Sequence, residues 1–494
     1  MKIGFICDMH LPEDKLSSQF AFFKQSITQI KEENADMIIT AGDITACGEW
    51  EAFENYKSVI GGFKSFFVIG NSDVRDNDTK DKFIAAAENF SINIGKRKLL
   101  GINTPYGQIE ENDKECIQAL SDGDILIMHH GLHRLDERSR EFVENSVKEK
   151  SLTIIHAHSH MRFDYEVGKT RVIGLRALDG DKSIGDFPCV TYFDITDADI
   201  SFYEKLIEVD KSIILDAKKY FGMSCVDNHR DVKYAIDNNV KNIELRCNGA
   251  DWYPDMTLLP LLDEWREKTG GYLSVHMPNV YWRDEELKGE ENWYKAVDYA
   301  KKVKADGLTI HPPRVKKFYM EKGSDVWNTF LNLYTYAVTH MNDNVKIGIE
   351  NLHMEKGEGD NNMRAFGYTP MEVSSWIDAI NEAIEKPQRV GHLLDVGHAR
   401  NNGFVSEKFP ISRWYNIMGN KTVAYHIHQV VPRENGLSNH QAIEDWFGPV
   451  ISYASFFYAW GEGILNHVPI FLEVGGCERF EKSIRAFEKA FGEE

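Results

Sequence analysis

The sequence is poor in the features that would place it outside ordinary globular folds. It has seven cysteines in 494 residues and no Cys-x-x-Cys pair. That excludes a disulfide framework and fits a reducing compartment, so a cytoplasmic location is expected. No apolar run approaches the roughly 18 residues of a membrane span, and the opening MKIGFICDMH reaches Asp8 too early for a secretory signal. No membrane partner is expected. Positive charge is scarce: 57 Lys and Arg stand against 77 Asp and Glu, a formal net charge of −20. Affinity for a nucleic-acid backbone comes mainly from Lys and Arg, so nucleic acid is not an expected partner either. Low-complexity segments and short repeats are absent. A hydrophobic content of 42% and a charged content of 27% are those of a globular protein, and a homo-oligomer is compatible with them.

The length exceeds one ordinary core, so two domains are expected. Up to about residue 208, short apolar runs (KIGFIC, ADMIIT, SFFVIG, DILIMH, LTIIHAH) alternate with helical spacing such as FAFFKQSITQIKEEN, followed by strand-like PCVTYFDITDADISFYEKLI. The boundary falls near residues 208–213. A second series follows over 213–494: YFGMSCV, NIELRC, YLSVHMP, GLTIHPP, VKIGIENL, RVGHLLDVGHA, TVAYHIHQV and PIFLEV. Amphipathic stretches such as HRDVKYAIDNN and NWYKAVDYAKKVK separate most of them. Eight strands alternating with helices have the size and rhythm of a (β/α)8 barrel, whose chemistry sits at the C-terminal strand ends.

In the first part, polar residues recur just past apolar strands: Asp8 and His10 in CDMH, Asp43 in MIITAGDIT, Asn71 in FFVIGNSD, His129 in ILIMHHG, and His158 and His160 in IIHAHSH. All can enter one crevice at a sheet's carboxyl edge. Two divalent ions bridged by an Asp would there polarise a phosphate and activate water. The series Asp-x-His, Gly-Asp, Gly-Asn-x-Asp, His and x-His-x-His resembles the calcineurin-like metallophosphoesterases over about the first 200 residues. The resemblance implies an αβ-sandwich with two ions. Asp8, His10, Asp43 and His160 would hold one, and Asp43, Asn71, His129 and His158 the other, with Asp43 as the bridge. Ala157 stands where the family has Gly. Ser72 stands where it commonly has the His that protonates the leaving group. The general acid is therefore unassigned, with His130 and His133 as candidates, and Asp73 is read as orienting a ligand.

In the second part, Glu244, His276, His311, Glu350, Asp395, His426 and Glu473 sit at or near strand ends. Converging carboxylates and imidazoles repel or stay unsatisfied without a cation, and this donor mix suits Zn or Mn. The pattern resembles the xylose-isomerase-like barrels, and within them the endonuclease IV branch. That implies one ion on His276 and His311, a second on Asp395, His426 and Glu473, and Glu350 bridging. A third ion would use His398 and an Asp-x-His segment. Here that segment reads Ser-Asn-His, with His440 in place and Ser438 where the carboxylate is expected. His428, on the same side of its strand as His426, is a fallback ligand or substrate contact. Glu244 is read as structural, as are His229, His340, His353, His392 and His467.

The expectation is an α/β chain in which a metallophosphoesterase sandwich precedes a TIM barrel. Its cofactors would be divalent Zn, Mn or Fe, two ions in the first domain and two or three in the barrel. Its substrate would be a small phosphoester, with His130, Ser72, Asp43 and Glu350 as candidate catalytic residues. One alternative is a phosphatase fused to a sugar-phosphate isomerase or epimerase, which would need only Glu350, Asp395, His426 and Glu473. A second is an abasic-site DNA repair endonuclease, which would need a basic groove.

Overall fold

The structure is a computed structural model describing residues 1–247, 252–354, 363–386, 389–434 and 436–492. The chain divides into two compact units. One is Met1–Val209 with Phe447–Ser455, and the other is Asp210–Trp446 with Phe456–Glu494.

The first unit has two sheets. One runs Ile200–Leu206, Cys189–Ile195, Lys2–Ile6, Met37–Ala41, Ser65–Val68, with the last three strands parallel and the first two an antiparallel hairpin. The other runs Phe90–Ile94, Arg97–Ile102, Ile125–Met128, Thr153–His156, Thr170–Gly174, Phe163–Val167, with its four inner strands parallel. Parallel strands covered on both faces need unbroken apolar sequence, which KIGFI, MIITA and ILIM supply. Ile3, Ile39 and Val68 of one sheet share a core with Leu99, Ile127, Ile155 and Ile173 of the other. The helix Ser18–Glu32 covers the first sheet. The Ser17 hydroxyl accepts from Phe20 N–H at its start, and Phe20, Phe23, Ile27 and Ile30 form its buried stripe. The expected αβ-sandwich is present.

The second unit is a closed barrel of eight parallel strands: Phe221–Ser224, Asn242–Arg246, Tyr272–His276, Gly307–Ile310, Lys346–Glu350, Val390–Asp395, Thr422–Ile427 and Ile470–Leu472. Each lies within one of the eight runs read from the sequence. Helices follow where the spacing predicted them, for example Asn228–Asp237 and Glu290–Lys302.

Two features differ from the sequence reading. Strand seven does not run on through Val430. Its last pairing to strand eight is Ile427 with Leu472. Beyond that point the chain folds on itself as the hairpin Gln429–Arg433 and Gly436–Gln441. A small sheet of Glu286–Lys288, Tyr281–Arg283, Arg314–Lys316 and Met363–Ala365 is also present, built from loops after strands three, four and five. All seven cysteines are free. Among the described residues no helix is long and apolar enough to cross a membrane.

Candidate metal centres

In the first unit every motif residue lands just past the C-terminal end of a parallel strand. Asp8, His10, Asp43 and His160 offer ligand atoms all within 4.8 Å of one another. Asp43 faces two ways: its Oδ2 lies 3.3 Å from His10 Nε2 and its Oδ1 lies 3.4 Å from His129 Nε2. His129 Nε2 is 3.2 Å from His158 Nδ1. The Asn71 amide lies between these two rings, 3.3 Å from His129 in one orientation and 2.9 Å from His158 in the other. All seven residues assigned to this centre thus converge around Asp43.

The backbone is bent to achieve this. Asp8, His10, Asp43, His158 and His160 have φ of 47, 45, 50, 67 and 58°, a left-handed region that L-residues enter at a cost. Met9 and His10 N–H donate to Asp43 O at 2.9 and 3.1 Å, locking two of these bends together. Gly42 and Gly70 leave room for the approach, since a Cβ on Gly42 would strike the His129 ring and one on Gly70 would strike Asp43 Oδ1. Asp73 accepts from Ile44, Thr45 and Gly70 N–H and so knits together the loops that carry Asp43 and Asn71.

Two further roles become visible. Asp179, fully buried, lies 3.2 Å from His10 Nδ1 and so turns Nε2 toward Asp43. The sequence carries no signal for it. The Ser72 hydroxyl donates to Thr45 O at 2.7 Å, and its N–H donates to Asp43 Oδ1 at 2.8 Å. Ser72 therefore holds the bridge through its backbone, and its hydroxyl is committed elsewhere. The His130 ring lies tilted against His158, centroids 4.2 Å apart, and His130 joins His129 and His158 in one cluster of ligand atoms. Burial and the neighbouring His129 hold it down to about 4, so at neutral pH it can accept a proton or a ligand bond. His133 instead meets Ser159 Oγ at 3.1 Å.

In the barrel the predicted residues meet at the C-terminal mouth. Glu350 Oε2 lies 3.3 Å from His276 Nε2 and 3.2 Å from His311 Nε2. Its Oε1 lies 3.4 Å from His426 Nδ1 and 3.3 Å from His398 Nδ1. Glu473 Oε2 is 3.3 Å from His426 Nδ1, and Asp395 Oδ2 is 3.9 Å from the same atom. Glu244 stands behind His426, with Oε1 2.9 Å from Nε2, and its Oε2 accepts from the Thr309 hydroxyl. It fixes Nδ1 toward the cluster, which gives its structural reading a definite task. Asn351 clamps Asp395 from both sides, accepting from its N–H and donating to its C=O, each at 2.9 Å, while His392 leans on the Asn351 oxygen at 3.1 Å.

The third cluster has a composition the sequence left open. His398, His428 and His440 offer ligand atoms within 4.8 Å of one another. Ser438 takes no part in that group. Its hydroxyl accepts from Gln441 at 3.2 Å. The third donor is His428, whose Nδ1 accepts from His440 N–H at 3.0 Å.

The donors fit divalent ions. His276 Nε2, both Glu350 oxygens, Asp395 Oδ2, His398 Nε2, His426 Nδ1 and Glu473 Oε2 are buried without a hydrogen-bond partner. Such a concentration is costly unless a cation satisfies it. The groove lined by Asp378, Lys421, Val423 and Asn466 lies at the opposite, N-terminal ends of strands six and seven and shares none of these residues.

The imidazoles also set a pH dependence. Burial alone would lower both His129 and His426. Asp43 nevertheless carries His129 up to about 9, and Glu244 and Glu350 carry His426 up to about 10. Both are protonated at pH 7 in the metal-free protein, and a ligand must be deprotonated. Metal uptake at pH 7 is therefore expected to release about two protons per chain from these groups, with affinity rising as pH rises. Loading the apo-protein in a weakly buffered indicator solution measures this. Uptake without proton release contradicts the assignment.

Comparison with known proteins finds two family matches. A model of the xylose isomerase-like TIM barrel family matches residues 232–488, and one of the calcineurin-like phosphoesterases matches residues 1–193. Comparison with curated proteins finds no match. Among solved structures, the chain is similar to endonuclease IV from Thermus thermophilus, with 15% identity, TM-score 0.39, and coverage of 56% of this chain and 100% of that one. It is similar to a D-tagatose 3-epimerase-like protein at 18% identity, TM-score 0.40, covering 55% and 96%. It is also similar to a dimetal phosphatase from Danio rerio at 8% identity, TM-score 0.35, covering 41% and 95%. The chain belongs to the xylose isomerase-like TIM barrel family, and it carries a calcineurin-like phosphoesterase domain ahead of the barrel.

Proposed function

We propose that the protein is a metal-dependent phosphoesterase with a metal centre in each unit, hydrolysing phosphodiester or phosphomonoester bonds of a small nucleotide-like or sugar-phosphate substrate. One observation carries the reading. Asp43 and Glu350 each direct their two oxygens at different imidazoles, the geometry of a carboxylate shared between two cations. What divalent ions supply at such a centre is Lewis acidity toward a phosphoryl oxygen and a lowered pKa for water. The chain's own part is to fix the donors. Asp179 and Glu244 orient imidazoles, Asp73 and Asn351 hold the ligand loops, and His130 stands as a neutral proton acceptor beside His158.

A second reading makes the barrel a sugar-phosphate isomerase or epimerase. Glu350, Asp395, His426 and Glu473 form one cluster of ligand atoms, all that this chemistry requires. His276 and His311, both against Glu350, favour hydrolysis. Assaying the metal-loaded protein and its Asp43→Asn and Glu350→Gln variants on phosphodiesters, phosphomonoesters and ketoses tests the choice. Ketose turnover lost only in the Glu350 variant, with no ester cleavage depending on that residue, would establish the second reading.

The DNA repair alternative makes a separate prediction. A formal charge of −20 repels a polyanion, so duplex DNA is expected to bind with Kd weaker than about 10 µM at physiological salt. Tight binding in a fluorescence titration, with incision at abasic sites, would restore that alternative.

A further inference from the structure

Arg246 ends the second barrel strand, level with His276 on the neighbouring strand. Its Nη2 pairs with Glu473 Oε1, while Glu473 Oε2 faces His426 and His440 at 3.3 and 3.1 Å. One carboxylate thus has one oxygen for the guanidinium and one for the metal cluster. On its other side Arg246 Nε donates to Ser224 Oγ at 3.3 Å, and Ser224 Oγ donates to Glu244 Oε1 at 3.2 Å. Glu244 is the residue that orients His426. The guanidinium is therefore held in register with the metal ligands from two directions.

It is not used up by these contacts. Of its five N–H donors, those on Nη1 have no hydrogen-bond partner among the described residues, and the side chain remains 24% exposed at the mouth of the barrel. A pre-oriented guanidinium with free donors next to a metal cluster suits a planar or tetrahedral oxyanion. A neutral sugar would gain little from it.

We propose that Arg246 is the anion-reading residue of the barrel, its Nη1 holding an oxygen of a substrate phosphate on the Glu473 side of the metal cluster. This rests on the barrel being a phosphoester site. It adds that the barrel selects substrates by that charge and discriminates against their unphosphorylated counterparts.

Inorganic phosphate is the probe. The full-length chain carries Asp43→Asn to silence the first centre and is loaded with Mn, and phosphate binding is followed by calorimetry with metal content measured in parallel. The same chain with Glu350→Gln added gives the blank. Arg246→Met is expected to weaken phosphate binding at least about tenfold, and Arg246→Lys to weaken it less, with metal content unchanged in both. Parental affinity in Arg246→Met overturns the inference. So does parallel loss of metal in both variants, which would make Arg246 a positioning residue for Glu473. If the parent holds its metal yet binds no more phosphate than the blank, the phosphoester reading of the barrel itself fails.

Discussion

Asp43→Asn is expected to cost more than about a hundredfold in phosphoester hydrolysis by the first unit, and to empty that centre of its ions. Loss of a group that merely orients a metal ligand costs about 10- to 100-fold in affinity or activity. Asp43 does more, since each of its oxygens faces a separate imidazole set. Asparagine keeps the shape, removes the charge, and turns an N–H2 toward one of those sets. The variant should still fold, because Asn tolerates the left-handed backbone that Asp43 adopts at φ 50°. Burial opposes the charge of Asp43, but His129 and His10 hold its carboxyl well below the usual range, so at neutral pH the wild-type bridge is ionised. Elemental analysis and initial rates on a diester read the outcome. A variant that keeps its metal and wild-type rates on every ester the chain hydrolyses would refute the bridge.

Glu350→Gln should have the mirror effect, abolishing barrel turnover by more than about a hundredfold while leaving the first unit's hydrolysis intact. Glu350 is fully buried, and both of its oxygens lack a hydrogen-bond donor. The amide must present its N–H2 to His276 and His311 or to His426 and His398, and either choice puts a donor where a cation is expected. Circular dichroism should show an unchanged fold, because glutamine has the shape of the carboxylate it replaces and Glu244 still faces the His426 ring at 2.9 Å. Metal content should fall by the barrel's share only. Retained barrel activity with full metal content would show that Glu350 is not the bridge. The two variants together also test sequential action. If one unit opens a diester and the other removes the resulting monoester, one variant accumulates the monoester and the other leaves the diester intact. If each unit proves to act on an unrelated compound, the tandem idea falls.

What the sequence revealed and what it hid divide along a physical line. A parallel strand buried on both faces has to be apolar, so a polar residue at its end stands out, and Asp8, Asp43, His129, Asp395 and His426 could all be read directly. Their partners could not. Glu244 and His426 are 182 residues apart, and Asp179 meets His10 across the whole first domain. Neither pairing leaves a local period. His428 was visible only as a same-face neighbour of His426. Its place between His398 and His440 depends on strand seven ending at Ile427 and the chain turning back as a hairpin. The hydroxyl of Ser72 was readable as a departure from a family pattern, but its bond to Thr45 O belongs to a tight loop contact that no spacing encodes.

Five of the seven residues of the first centre sit in left-handed backbone. Asp and His enter this region more readily than most L-residues but still at a cost, and the rest of the unit must sustain it. The placement of these donors is thus written into the main chain and not only into side-chain rotamers. An ion entering such a site would meet donors that the backbone already holds, an economy of ordering. The same economy narrows what evolution can do at these positions. A β-branched replacement there injures the fold and the chemistry in one step, whereas glycine would relieve the backbone while deleting the donor.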